Sequence, residues 1–197
     1  MADIHIKGTI ISNTEQWIYE YFDMEFTSPK VVDTAIQNAK GEDLNIYINS
    51  PGGSVFDGSE IYTTLKSYKG NVTVYIIGMA ASIASVIAMA GKRIFMSPTG
   101  SFMIHNVSVS NVFGDYRTML HMAEVLKTTN ISIVNAYRIK TGLTQDRLLT
   151  LMNKETWFSP QEALSLGFID KIMFDDTSDI SKSQAHLELL KLKEIRE

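Results

Sequence analysis

Gly78-Met79-Ala80-Ala81-Ser82-Ile83-Ala84 decides the reading of this chain. An apolar run from Val72 to Ile77 stops at a glycine; tiny residues follow, then a lone serine, then a small-residue segment reaching Gly91. The pattern predicts a strand, a tight turn and a helix, with a hydroxyl at the turn. An oxygen there sits at a helix N-terminus, where free backbone N–H groups favour developing negative charge. Serine is also a common N-cap, so two other segments decide between the readings.

Upstream, Ile46-Tyr47-Ile48-Asn49-Ser50-Pro51-Gly52-Gly53-Ser54 carries a β-rich run into Asn-Ser-Pro-Gly-Gly, with a helix beginning near Val55. Pro51 fixes one φ angle, while the paired glycines permit positive φ and close approach of backbone to a ligand. Such a loop can aim a backbone N–H at a carbonyl oxygen; an ordinary turn between strand and helix is the alternative. Downstream, Phe102-Met103-Ile104-His105-Asn106 is a short apolar run ending in a histidine 23 residues after Ser82. Imidazole titrates near neutrality, takes a proton from serine and returns it to a leaving amine. A single histidine at a strand end is commonly structural. Beside a turn serine and a glycine-rich donor loop it becomes a candidate general base.

These three segments, in this order, resemble the Clp protease proteolytic subunit (ClpP) family of serine peptidases, within the ClpP/crotonase superfamily. The family pattern reads roughly I-N-S-P-G-G, then G-x-A-A-S, then M-I-H. A fourth piece, Phe158-Ser159-Pro160-Gln161-Glu162-Ala163 followed by Gly167-Phe168-Ile169-Asp170, resembles the closing S-x-x-E-A…G-x-x-D segment. The resemblance spans about Gly8 to Met173. It implies an α/β ClpP/crotonase fold, with repeated β-β-α units, a parallel sheet and a long handle helix. By the same resemblance Ser82 is the nucleophile and His105 the general base. The N–H groups of Gly53 and Ile83 become the oxyanion donors, and neither a metal nor a cofactor is implied.

The third catalytic position departs from the family. An aspartate usually stands four residues before the closing serine, where this chain has Glu155. Glutamate supplies the same carboxylate on a longer stem and can hold the imidazole tautomer. The other reading makes Glu155 a solvated helix-end charge beside a Ser–His dyad. Asp170 matches the family's downstream aspartate and is read as structural.

At 197 residues and 45% hydrophobic, the chain can bury a core as one domain, with the core over about 4–173. A net charge of −4 gives no basic footprint for nucleic acid and no polybasic membrane anchor. The longest apolar stretch, Val72 to Gly91, is broken by glycines, serines and a tyrosine, and fits a buried strand and helix better than a membrane span. No secretory n-region and h-region opens the chain, so the expected location is cytoplasmic. The absence of cysteine excludes disulfides and thiol catalysis, and the four histidines lack ligand spacing.

Strand–helix alternation predicts α/β architecture. Strands are expected around residues 4–10 and over 44–48, 72–77, 93–96, 102–104 and 169–173. Helices are expected over 14–26, 30–40, 55–68, 82–90, 115–138 and 144–152. Another begins at the capping box Ser159-Pro160-Gln161-Glu162. A last helix is expected over 181–196, within a tail at about 180–197, packed on a neighbour or solvated. Helix 115–138, with Met119, Met122, Val125, Leu126 and Ile133, reads as an amphipathic core helix. The resemblance makes it instead a handle that interlocks rings, and so implies a homo-oligomer of heptamers or stacked heptamers acting on polypeptide.

Two further features bear on biology. The chain starts almost at its first strand, leaving little room for the family's axial N-terminal segment. Glu155-Thr156-Trp157-Phe158 looks like the ClpP-related head-maturation proteases of tailed phages, which cut capsid and scaffold proteins. That branch is the expectation, with the proteolytic subunit of a Clp ATPase as the alternative. A crotonase-like acyl-CoA enzyme needs no Ser–His pair in these motifs, and a catalytically dead ring subunit is expected to have lost one of the two.

Overall fold

The structure, a computed structural model, describes residues 1–175. The expected C-terminal helix lies outside the described residues. The elements run β1 (Ala2–Ile10), α1 (Gln16–Tyr21), β2 (Phe26–Thr27), α2 (Pro29–Asn38), β3 (Leu44–Gly53), α3 (Val55–Lys66), β4 (Val72–Ala81) and α4 (Ile83–Ala88). They continue with β5 (Arg93–Met96), β6 (Ser101–Ile104), α5 (Tyr116–Thr141), α6 (Gln145–Asn153), β7 (Thr156–Phe158), α7 (Pro160–Ser165) and β8 (Lys171–Ile172). One eight-stranded sheet holds them in the order β2-β1-β3-β4-β5-β8, with β6 paired to the far end of β4 and β7 paired to β6.

Alternation along each strand sorts the side chains. Ile4, Ile46, Val74 and Ile94 share one register row, and Ile6, Ile48, Ile76 and Met96 another; all are buried. Each such side chain contributes roughly 1.5–3 kcal/mol on leaving water. The intervening row, His5, Tyr47, Tyr75 and Phe95, points to the opposite face and stacks ring on ring at 5.2, 5.1 and 5.3 Å. Helix α4 is buried at every residue, as its lack of charge and its small side chains require.

The α/β parallel architecture agrees with the expectation, and the β-β-α unit is explicit at β5, β6 and α5. Several boundaries differ. The helix expected over 14–26 is the shorter α1, because Asp23 takes a positive φ and Phe26–Thr27 pair with Thr9–Ile10. β3 and β4 run further than apolarity suggests, to Gly53 and Ala81, because the glycine-rich and alanine-rich ends still pair with β1 and β6. β7 was not expected at all, and it is antiparallel, so the sheet is mixed. The closing strand is only Lys171–Ile172.

α5 spans roughly 40 Å at 1.5 Å per residue. Asp115 caps its start by accepting from Arg117 and Thr118 N–H, and Gly142, at φ 71°, ends it in the left-handed region. Its C-terminal part buries Ile133, Val134, Ala136 and Tyr137. Met119, Leu120 and Val125, towards its N-terminus, are exposed, as is Ile131 just past its midpoint.

Candidate active site

Ser82 joins β4 to α4 with φ 55° and ψ −129°, a conformation non-glycine residues rarely adopt. Its N–H donates to the Met103 carbonyl at 3.1 Å, and its own carbonyl accepts the Ser85 N–H at 3.0 Å. The helix expected to open at Ser82 opens one residue later, and the Ser82 hydroxyl caps nothing. It lies instead 2.7 Å from His105 Nε2.

The sheet makes that contact. β4 and β6 are parallel, with Ala81 beside Met103, so both strands leave the sheet at one edge and deliver Ser82 and His105 side by side. This is the carboxyl end of the strands, where α/β sheets form their crevices. β7 runs antiparallel to β6, with Ile104 opposite Thr156. One step on, Glu155 faces His105, its Oε2 4.0 Å from Nδ1. That is an ion-pair approach, longer than a hydrogen bond, and the Glu155 side chain is 60% exposed.

Glu155 closes α6 as the residue after its cap, at φ 48°. Its N–H donates to Met152 O at 3.0 Å, and the Thr156 hydroxyl donates to Leu151 O at 2.6 Å. Glycine usually fills this left-handed position, and a glutamate there costs about 1–2 kcal/mol.

The glycine loop is fixed from below. Ser50, fully buried, donates its hydroxyl to Gly8 O at 2.6 Å and accepts the Gly52 N–H at 3.1 Å. Gly52 has φ 98°, and a Cβ there would stand 2.7 Å from the Ser82 Cβ; at Gly53, φ 151°, it would stand 2.0 Å from Ile10 O. Only glycine lets this loop pass so close to Ser82 and to β1. The pair therefore forms the irregular end of a strand rather than a free turn.

Gly53, Ser82, Ile83 and His105 line one cavity of ≈ 70 Å³, closed by apolar side chains including Val86 and Ile133. Ile83 is the first residue of α4, so its N–H has no intrahelical acceptor. Glu155 stands outside the cavity, on the Nδ1 side of the ring. The segment 108–113 is irregular; the Val107 N–H ties the chain just before it to Asn130 Oδ1 on α5 at 2.7 Å. Asp170 does not line the cavity; it is paired with Lys140 at 2.7 Å and accepts the Ile94 N–H at 2.6 Å. Ser85 and Tyr137, which sequence reasoning passed over, form a buried hydroxyl pair at 2.7 Å beneath Ser82. In sequence Tyr137 is one more apolar position of a long helix, and Ser85 one more small residue.

Among the described residues no group of three or more His, Asp or Glu is placed to hold a metal ion. Nor is any helix there long and apolar enough to cross a membrane.

The sequence of the chain is matched by known proteins. The model of the Clp protease family matches residues 28–176. The chain belongs to the Clp protease family. Its members are serine-type peptidases, which places the chain among the hydrolases. The chain is 36% identical over 135 residues to the ATP-dependent Clp protease proteolytic subunit of Deinococcus radiodurans, covering 67% of this chain and 65% of that one. It is 35% identical over 141 residues to the subunit of the same description from Streptococcus pneumoniae, covering 69% and 71%. The chain thus spans about two thirds of the length of the curated relatives it matches.

Proposed function

We propose that this chain is a serine endopeptidase in which Ser82 is the nucleophile, His105 the general base and Glu155 the carboxylate that orients it. The observation that carries the reading is the 2.7 Å contact between Ser82 Oγ and His105 Nε2 at the mouth of a glycine-bounded cavity. His105 takes the Ser82 proton as Oγ attacks the scissile carbonyl carbon. The oxyanion then accepts from the Gly53 and Ile83 N–H groups, and His105 gives the proton to the leaving amine. Water, deprotonated by the same imidazole, releases the acyl group and regenerates Ser82. The Glu155 side chain closes on Nδ1 as the imidazolium forms.

The substrate is polypeptide, and the working form is a homo-oligomeric ring, heptameric or of stacked heptamers, in which the exposed apolar residues of α5 are covered by other subunits. The relatives' description as ATP-dependent proteolytic subunits favours a Clp-type ATPase as partner. A second setting, phage head maturation with capsid or scaffold protein as substrate, rests on Glu155 in the acid position, and the comparisons lend it no support.

The test compares casein with a stable folded domain as substrates, each with and without a Clp-type ATPase and ATP. Casein cleavage that disappears in Ser82→Ala and His105→Ala supports the peptidase reading. Folded substrate degraded only with ATPase and ATP supports the ATPase partner; cleavage of a capsid scaffold with indifference to the ATPase supports the second setting. Casein cleavage that survives Ser82→Ala overturns the reading.

A further inference from the structure

Ser82's backbone is gripped by a buried hydroxyl pair that the proposed reaction does not itself use. Ser85, in the first turn of α4, gives the Ser82 carbonyl two bonds, from its N–H at 3.0 Å and from its Oγ at 2.5 Å. A serine hydroxyl has one proton. Since Ser85 spends it on that carbonyl, Tyr137 must be the donor in the 2.7 Å bond between the two hydroxyls. Ser85 is fully buried and Tyr137 is 1% exposed. Burial pushes the Tyr137 phenol up, so it stays protonated and remains a donor throughout the neutral range. Tyr137 is itself held by α5 and by the edge of Phe168, ring centroids 5.8 Å apart.

The carbonyl of Ser82 and the N–H of Ile83 belong to one planar trans peptide, and so point in opposite directions. Held by the Ser85 N–H and hydroxyl, the carbonyl fixes the Ile83 N–H in the opposite direction, at a residue that borders the cavity with Gly53, Ser82 and His105. The Ser82 torsions are unfavourable, and such a backbone persists only where its surroundings over-determine it. We propose that Tyr137 and Ser85 are positioning residues: the relay from α5 through Tyr137 Oη and Ser85 Oγ to the Ser82 carbonyl aims the Ile83 N–H at the oxyanion. This inference rests on the serine peptidase reading and adds to it a link between α5 and the reacting centre.

The relay acts on the transition state rather than on substrate binding, so it separates kcat from KM. With a peptidyl aminocoumarin substrate, Tyr137→Phe, which keeps the ring, lowers kcat about tenfold, and Ser85→Ala lowers it by up to ~10². KM stays within about twofold of wild type. Because Tyr137 acts through Ser85, the double variant loses no more than Ser85→Ala alone. Fluorophosphonate labelling of the same proteins, with near-UV circular dichroism to confirm packing, is read in parallel. A wild-type kcat in folded Ser85→Ala, or losses that multiply in the double variant, overturns the relay while leaving the peptidase reading intact. Failure of the wild type to label at Ser82 removes the peptidase reading first, and the relay with it.

Discussion

Glu155 stands across from His105 one residue beyond the last pair of the β6–β7 ladder, its Oε2 4.0 Å from Nδ1 and its backbone in the left-handed region. The ladder supplies the alignment and the end of α6 supplies the strain. If the carboxylate orients the imidazole, Glu155→Gln lowers kcat with a ceiling of ~10⁴, while Glu155→Asp, limited by reach, keeps part of the activity. Glu155→Gly separates the two roles: removing the left-handed penalty raises stability by roughly 0.5–1 kcal/mol net of glycine's extra entropy, yet activity falls as in Glu155→Gln. Wild-type rates in all three variants would leave a Ser–His dyad. Denaturant midpoints and steady-state rates read both sides.

Ser50→Ala strips two backbone groups of their buried partner, the Gly8 carbonyl and the Gly52 N–H. A loss of about 1–3 kcal/mol is expected. Activity falls further than stability, because the Gly53 N–H loses its support. A kcat that stays low well below the melting transition marks a misaimed donor; a wild-type kcat in the fully folded sample marks a merely weakened fold.

Much of this site was legible in the sequence, for physical reasons. Gly52, Gly53, Ser82 and His105 are marked by what they must do: positive φ, an exposed hydroxyl, a titratable ring at a strand end. What was not legible depends on partners far along the chain. Thr156–Phe158 becomes a strand only because Phe102–Ile104 offers an edge, and Phe26–Thr27 only because Thr9–Ile10 does. Three-residue and two-residue strands carry no periodicity of their own. β3 and β4 were expected too short because glycine and alanine weaken the strand signal, although the ladder continues through them. The Ser85–Tyr137 bond joins residues 52 apart, and neither side chain signals it alone.

Asp170 tests the line between catalytic and structural carboxylates. Its pair with Lys140 is mostly buried, with side chains 16% and 13% exposed, and it also accepts from Ile94. Asp170→Asn leaves a cation with a neutral partner and should cost up to about 3 kcal/mol. The folded fraction should still label with a fluorophosphonate at the wild-type rate, read at low temperature where the variant is folded. A labelling rate that falls with Asp170→Asn but not with Glu155→Gln would exchange their roles.

The capping box at α7 gives a pH signature. The Ser159 N–H and hydroxyl bond the Glu162 carboxylate and hold its pKa below the ordinary carboxylate range. A depressed folded-state value means the contribution is full above the unfolded value and is lost as pH falls through the folded one. The melting difference between wild type and Glu162→Gln is therefore constant near neutrality and shrinks in acid. Ser159→Ala should cost about 1 kcal/mol. A difference that grows in acid would mean the carboxylate is not the capping species.

Whether Ser82 carries the reaction is read at the site of covalent modification. Wild-type protein treated with a fluorophosphonate, digested and sequenced by mass spectrometry, should carry one adduct per chain on Ser82. Ser82→Ala and His105→Ala should take up none at the same exposure, while melting near the wild-type temperature. An adduct on Ser50, Ser54 or Ser85, or undiminished uptake by folded Ser82→Ala, would contradict the account.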